Sequence, residues 1–175
     1  MVTGKMTDSK KQRPRRRSEG RSRSASRLAV VQALYQMELS GQDSESAISE
    51  FIEHRMGQEL EGEQYPEADH KYFAGILRGV IERQDEIDKA LARATGKSWS
   101  YDRIDTTMRA ILRACAFEFL GSNDVPIRVI VDEYMKVAGA FYEDKGEEMT
   151  FLGGVLYRVA REFRPDDVTR LDPAT

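Results

Sequence analysis

The chain has 175 residues, of which 40% are hydrophobic and 33% charged, a balance that suits one charge-rich globular domain with a sizeable core. No apolar run approaches the ~18 residues of a membrane span, and no apolar segment of signal-peptide length follows the basic N-terminus, so a cytoplasmic protein is expected. Cys115 is the single cysteine, which excludes an intrachain disulfide and fits a reducing compartment. The net charge of −3 hides an asymmetry: residues 1–27 carry three lysines and seven arginines against Asp8 and Glu19, which is +8 and leaves −11 for the rest. A basic arm on an acidic body is a nucleic-acid-binding pattern, although a merely solubilising tail has the same composition.

Residues 1–23 lack periodicity and are rich in Ser, Lys and Arg, so a disordered basic arm is expected. From about Ser24, Leu28, Val31, Tyr35 and Leu39 recur at helical spacing, and on that spacing Tyr35 belongs to the core stripe. Gly41 is placed to end this helix. Ile48, Phe51, Ile52 and Met56 mark a second helix that ends at Gly57. EGEQYP is a polar linker, with Pro66 set to open the next helix. Residues 66–94 read as one long helix or two, with Gly96 ending the region. Asp105 can cap a helix carrying Met108, Ile111, Leu112, Cys115 and Phe119, apolar nearly all round and therefore central. IRVIV alone could be a strand, but Ile127, Ile130, Val131, Tyr134, Val137 and Phe141 fit one helix face, and Pro126 favours a helix start. A last helix spans about Glu147 to Phe163 and is stopped by Pro165. About seven helices and no convincing strand predict an all-α fold.

Catalytic chemistry is sparse. His54 and His70 are far apart in polar surroundings and read as solvated side chains. No clustered Cys and His could form a zinc site, and there is neither a P-loop nor a GxGxxG. Cys115 on the most apolar helix reads as a buried structural thiol. Glu147 and Glu148 sit at a helix start, where they complement the dipole. No cofactor, no metal and no catalytic residue are expected; an enzyme using only Asp, Glu or Lys is the residual alternative. The basic tract is richer: RPRRR (Arg13 to Arg17), then Arg21, Arg23 and Arg27. Guanidinium groups bind phosphates bidentately and stack on the splayed bases of single-stranded RNA. Phe151 precedes Gly153 and Gly154, a mid-helix pair of the kind that marks close helix packing.

Together the segments RLAVVQALYQMELS, YDRIDTTMRAILRACAFEFL, DVPIRVIVDEYMKVAGAFY and FLGGVLYRVAREFRP resemble the NusB family of transcription antitermination factors over about Arg23 to Pro165. The resemblance implies an all-α fold of about seven helices in two perpendicular helical subdomains: a NusB-like domain over 24–165, divided into an N-terminal three-helix bundle (24–95) and C-terminal helices (96–165), with a tail at 166–175. It implies pairing with NusE, a small-subunit ribosomal protein, and binding of boxA RNA in leader transcripts, including those of ribosomal RNA. It also implies assembly with other Nus factors on RNA polymerase, suppression of premature termination, and no catalysis. Residue by residue, the family's arginine-rich motif falls on Arg21, Arg23 and Arg27, interrupted by Ser22, Ser24, Ala25 and Ser26. Its RNA-contacting tyrosine matches Tyr35 and its aromatic matches Phe151. Gly153 stands where the family has Asn. Glu147 matches the acidic position before the last helix, and Arg113 the arginine of A-I-L-R. The partner surface is expected on the helix containing Met108 to Leu120. The alternative is a NusB-like protein-interaction module without specific RNA binding. A homodimer covering the arm is compatible with the same sequence.

Overall fold

The computed structural model describes residues 13–56, 69–96 and 100–171; the side chains of residues 13–18 and 170–171 lie outside the description. Eight α-helices are present among these residues: α1 (Arg13–Ser40), α2 (Ser44–His54), α3 (His70–Glu82), α4 (Gln84–Thr95), α5 (Thr106–Gly121), α6 (Ile127–Ala138), α7 (Glu147–Phe163) and α8 (Pro165–Leu171). A 3-10 turn, Tyr101–Arg103, precedes α5. The all-α expectation holds, and no described residue is in a strand. No helix among the described residues is long and apolar enough to cross a membrane.

The centre is α5. Ile111, Leu112, Cys115 and Phe119 are fully buried, and the helix packs on α1, α3, α4, α6 and α7. Burial around Cys115 pushes its thiol pKa well up, as a structural thiol requires. Helices α1, α2 and α3 pack on one another, with Phe51 and Phe73 stacked at 5.7 Å between α2 and α3. Although α4 precedes Gly96, it packs on α5 and α7. The break between α3 and α4 falls at Arg83, with φ −107° and ψ 18°, where neither proline nor glycine marks it.

Local signals explain most helix ends. Gly41 adopts φ +72° and its N–H returns to the Met37 carbonyl, the left-handed stop that glycine makes without a Cβ penalty. Asp105 accepts from the Met108 N–H at 3.0 Å and caps α5, as its position predicts. The ambiguous IRVIV is helical: its apolar residues face the core at helical spacing, and Ile127, Ile130 and Val131 are buried. That helix ends at Ala138, so Phe141 lies beyond it and is 43% exposed.

Helix α1 begins at Arg13, so among the described residues helix runs through 13–23 of the stretch expected as a basic arm, with Pro14 tolerated in the first turn and Gly20 within the helix. Residues 1–12, Gly57 and Pro66 lie outside the described residues. Three expectations are corrected. Leu39 is 64% exposed and does not anchor the core. Pro165 ends α7 but also opens α8, where its missing N–H and fixed φ suit a first helical position. His70 is half-buried, with Nε2 sealed from solvent and without a hydrogen-bond partner.

The Asp105 cap yields a test. Its Oδ1 also accepts from the Tyr142 hydroxyl at 2.8 Å, joining the α6–α7 loop to the start of α5. Asp105→Ala is expected to lower the unfolding free energy by about 1–2 kcal/mol, read from the urea midpoint at unchanged m-value.

Candidate nucleic-acid interface

Helix α1 carries four of the candidate residues, with Arg21, Arg23 and Arg27 around its middle and Tyr35 toward its C-terminal end. Arg21 and Arg23 are exposed. Arg23 lies over the Tyr72 ring, with its guanidinium carbon 5.1 Å from the ring centroid. One turn on, Arg27 is only 4% exposed. Its Nε donates to both Glu118 oxygens, at 2.9 and 3.3 Å, Nη2 donates to the Tyr72 hydroxyl at 2.9 Å, and Nη1 lies 3.4 Å from Glu133. The Tyr72 hydroxyl in turn donates to Glu118. Thus Arg27, placed on the RNA-contacting motif by resemblance, has its guanidinium committed to the protein body.

The electrostatics follow from burial. Burial works against the Arg27 charge, but the adjacent Glu118 carboxylate outweighs it and holds the guanidinium pKa above its ordinary value. Burial and then Glu118 push the Tyr72 hydroxyl pKa up, so it stays protonated and donates. Glu133 is partly buried, which raises its pKa, yet hydrogen bonds from Ser24 and Lys136 and the Arg27 charge leave it lowered overall.

The serines that interrupt the arginines are ties. Ser24 donates to Glu133 on α6, with the Gly20 carbonyl 3.0 Å away. Ser26, with no solvent exposure, donates to the Asp69 carbonyl at 2.8 Å, and the Asp69 N–H points back to the Ser22 carbonyl. An arginine at position 26 would have no volume to occupy.

The C-terminal end of α1 borders an open groove of about 570 Å³, lined by Val31, Gln32, Tyr35, Leu39, Arg55 and Phe141 among others. Tyr35 is 41% exposed, so its ring is not the core residue that spacing predicts. Two exposed aromatics, side-chain amides and an arginine around one groove can stack and hydrogen-bond a flat polar ring.

The remaining candidates are elsewhere. Arg113 forms a bidentate pair with Asp88 on α4, both contacts at 2.9 Å, and reaches Glu38 on α1 at 3.3 Å. Glu147 is exposed in the first turn of α7. Phe151 is half-buried against the core. The glycines after it do not mark close packing: a Cβ on Gly153 would meet nothing nearer than Met135 Cε at 3.9 Å. Close approach occurs instead at Gly79, where a Cβ would lie 2.0 Å from the Phe117 ring. The helix expected to offer the partner surface is α5, which is mostly buried; its exposed and half-buried positions are mainly Thr106, Thr107, Arg109, Arg113, Phe117 and Leu120.

Sequence reasoning missed Tyr72, Glu118, Glu133 and Phe141. One signal was available for Glu118: a lone acid in the most apolar helix needs a buried partner.

The NusB family model matches residues 24–161. The transcription antitermination protein NusB of Caulobacter vibrioides is 46% identical over 142 residues, 81% of this chain and 94% of that protein. A crystal structure of T. maritima NusB superposes with a TM-score of 0.67 at 29% identity, covering 85% of this chain and 96% of that one. A chain from a crystal structure of antitermination factors NusB and NusE in complex with dsRNA shares the fold, with a TM-score of 0.66 at 18% identity over 81% of this chain and 98% of its own. The chain belongs to the NusB family.

The buried pair predicts an asymmetric stability response. Arg27→Ala strands the Glu118 charge and is expected to cost about 3–5 kcal/mol in chemical denaturation. Replacing both, with Arg27→Met and Glu118→Leu, is expected to recover most of that loss.

Proposed function

We propose that this chain is an RNA-binding transcription antitermination factor. It pairs with the NusE ribosomal protein, binds boxA-type single-stranded RNA in leader transcripts, including ribosomal RNA, and joins other Nus factors on RNA polymerase to suppress premature termination. On this reading the protein has no catalytic role. The observation that carries it is the composition of α1: one helix joins the exposed Arg21 and Arg23 to an aromatic-rimmed groove at Tyr35. Arginines supply phosphate contacts and the groove supplies stacking, the two requirements for holding a single strand. The relatives named as antitermination proteins and the NusB–NusE–dsRNA complex sharing the fold support the same reading. Phe151, Arg113 and Glu147 belong to the proposed RNA site by resemblance alone.

A second reading, an interaction module without specific RNA binding, is favoured by one observation: the Arg27 guanidinium is held by Glu118 rather than presented to solvent.

Binding of the full chain to boxA RNA and a scrambled control, with and without NusE and across a salt series, separates the two. Tighter boxA binding enhanced by NusE supports antitermination, whereas NusE binding without RNA discrimination supports the module. Replacing Arg21 and Arg23 with Ala is expected to lower the log–log salt slope by roughly 1.4, about 0.7 for each lost phosphate contact. Tyr35→Ala is expected to weaken RNA binding by about 1–3 kcal/mol while the slope and the helical circular dichroism signal persist.

A further inference from the structure

The arginines that remain in the interrupted tract have different fates. Arg23 is exposed, whereas the Arg27 side chain retains 5% exposure and Glu118 only 1%. We propose that Arg27, Glu118 and Tyr72 form a positioning unit that fixes the middle of α1 and aims Arg23, and that Arg21 and Arg23, not Arg27, meet the RNA. The second half of this proposal rests on the RNA-binding reading above.

Three observations carry it. First, all three guanidinium nitrogens of Arg27 face partners from the body: Glu118 on α5, Tyr72 on α3 and Glu133 on α6. A phosphate could take Arg27 only by stranding the Glu118 carboxylate in the core, and an unpaired buried charge is far costlier than a surface contact is favourable. Second, one ring serves both arginines. The Arg23 and Arg27 guanidinium carbons lie 5.1 and 5.4 Å from the Tyr72 centroid, so the exposed cation is stacked on a ring whose hydroxyl the buried pair holds. Residues four apart share a helix face, which lets one ring reach both. Third, Ser24 and Ser26 tie the same turn to Glu133 and to the Asp69 carbonyl. The interruptions in the arginine tract are therefore the sites where the arm is fastened. An arm held in one direction before RNA arrives loses less conformational freedom on binding than a free one.

The test uses the full chain and boxA-type single-stranded RNA. Arg27→Met with Glu118→Leu removes the pair without leaving a buried charge. Tyr72→Leu removes the ring, and Tyr72→Phe restores it without the hydroxyl. In the double variant, amide hydrogen exchange over residues 20–26 is expected to accelerate about tenfold or more in the free protein. Its RNA affinity is expected to fall about tenfold at unchanged salt slope, as reduced pre-organisation predicts. Tyr72→Leu should weaken RNA binding about threefold, as loss of an exposed cation–π contact implies, and Tyr72→Phe should recover it. A slope lower by roughly 0.7 in the double variant would make Arg27 a phosphate contact and overturn the proposal. Unchanged exchange with unchanged affinity would overturn it as well. If the double variant does not fold, the Tyr72 pair decides: Leu and Phe binding RNA alike removes the ring from the unit and sinks the proposal. If wild-type protein binds no RNA, the RNA-binding reading and Arg23's role fall together, and exchange alone decides whether the unit holds the arm.

Discussion

A guanidinium and a carboxylate meet out of water where four helices converge, and the geometry of the basic end depends on that meeting. Arg27 on α1 and Glu118 on α5 are joined by Tyr72 from α3 and Glu133 from α6. Such a pair adds little net stability, because desolvation consumes most of the Coulomb gain. Its effect is on register. Sliding or rotating α1 by one residue would leave a charge in the core without its partner, so neighbouring registers are penalised even where apolar packing would tolerate them. The exposed arginines just upstream inherit their position from that constraint.

The charge asymmetry of the chain acquires a structural form here. The basic residues cluster on the first half of a 28-residue helix, and the acidic body fastens that half through Glu118 and Glu133. The same helix reaches the Tyr35 groove, which lies ~18 Å from Arg23 by the rise of twelve helical residues. One rigid element therefore sets the separation between a cationic end and an aromatic end. A single strand lying along α1 would meet charge at one end and stacking surface at the other.

A second ion-pair network steadies the C-terminal end of α1. Glu38 faces Arg109 and Arg113 on α5, and Arg113 is shared with Asp88 on α4. This network joins the N-terminal helices to α4 on one side of α5, while the Arg27 cluster joins α1 to α3 and α6 at the other end. Between them α5 supplies apolar contact on nearly every face, which is why its sequence shows so weak an amphipathic division.

The sequence alone determined the all-helical architecture, the central place of α5, the stop at Gly41, the cap at Asp105 and the family. These are properties of local spacing and backbone chemistry: a 3.6-residue apolar period, a residue tolerant of positive φ, and a short acceptor before a helix all act within a few residues. Tertiary structure alone decided that α3 and α4 are separate, that Tyr35 and Leu39 face outward, and that Gly153 and Gly154 leave room while Gly79 receives the Phe117 ring. It also decided which arginines are exposed, because Arg21, Arg23 and Arg27 look alike in sequence. What separates them is Glu118, 91 residues along the chain from Arg27. A pairing across that distance leaves no periodic trace, and it exists only once α1, α3, α5 and α6 have closed around it.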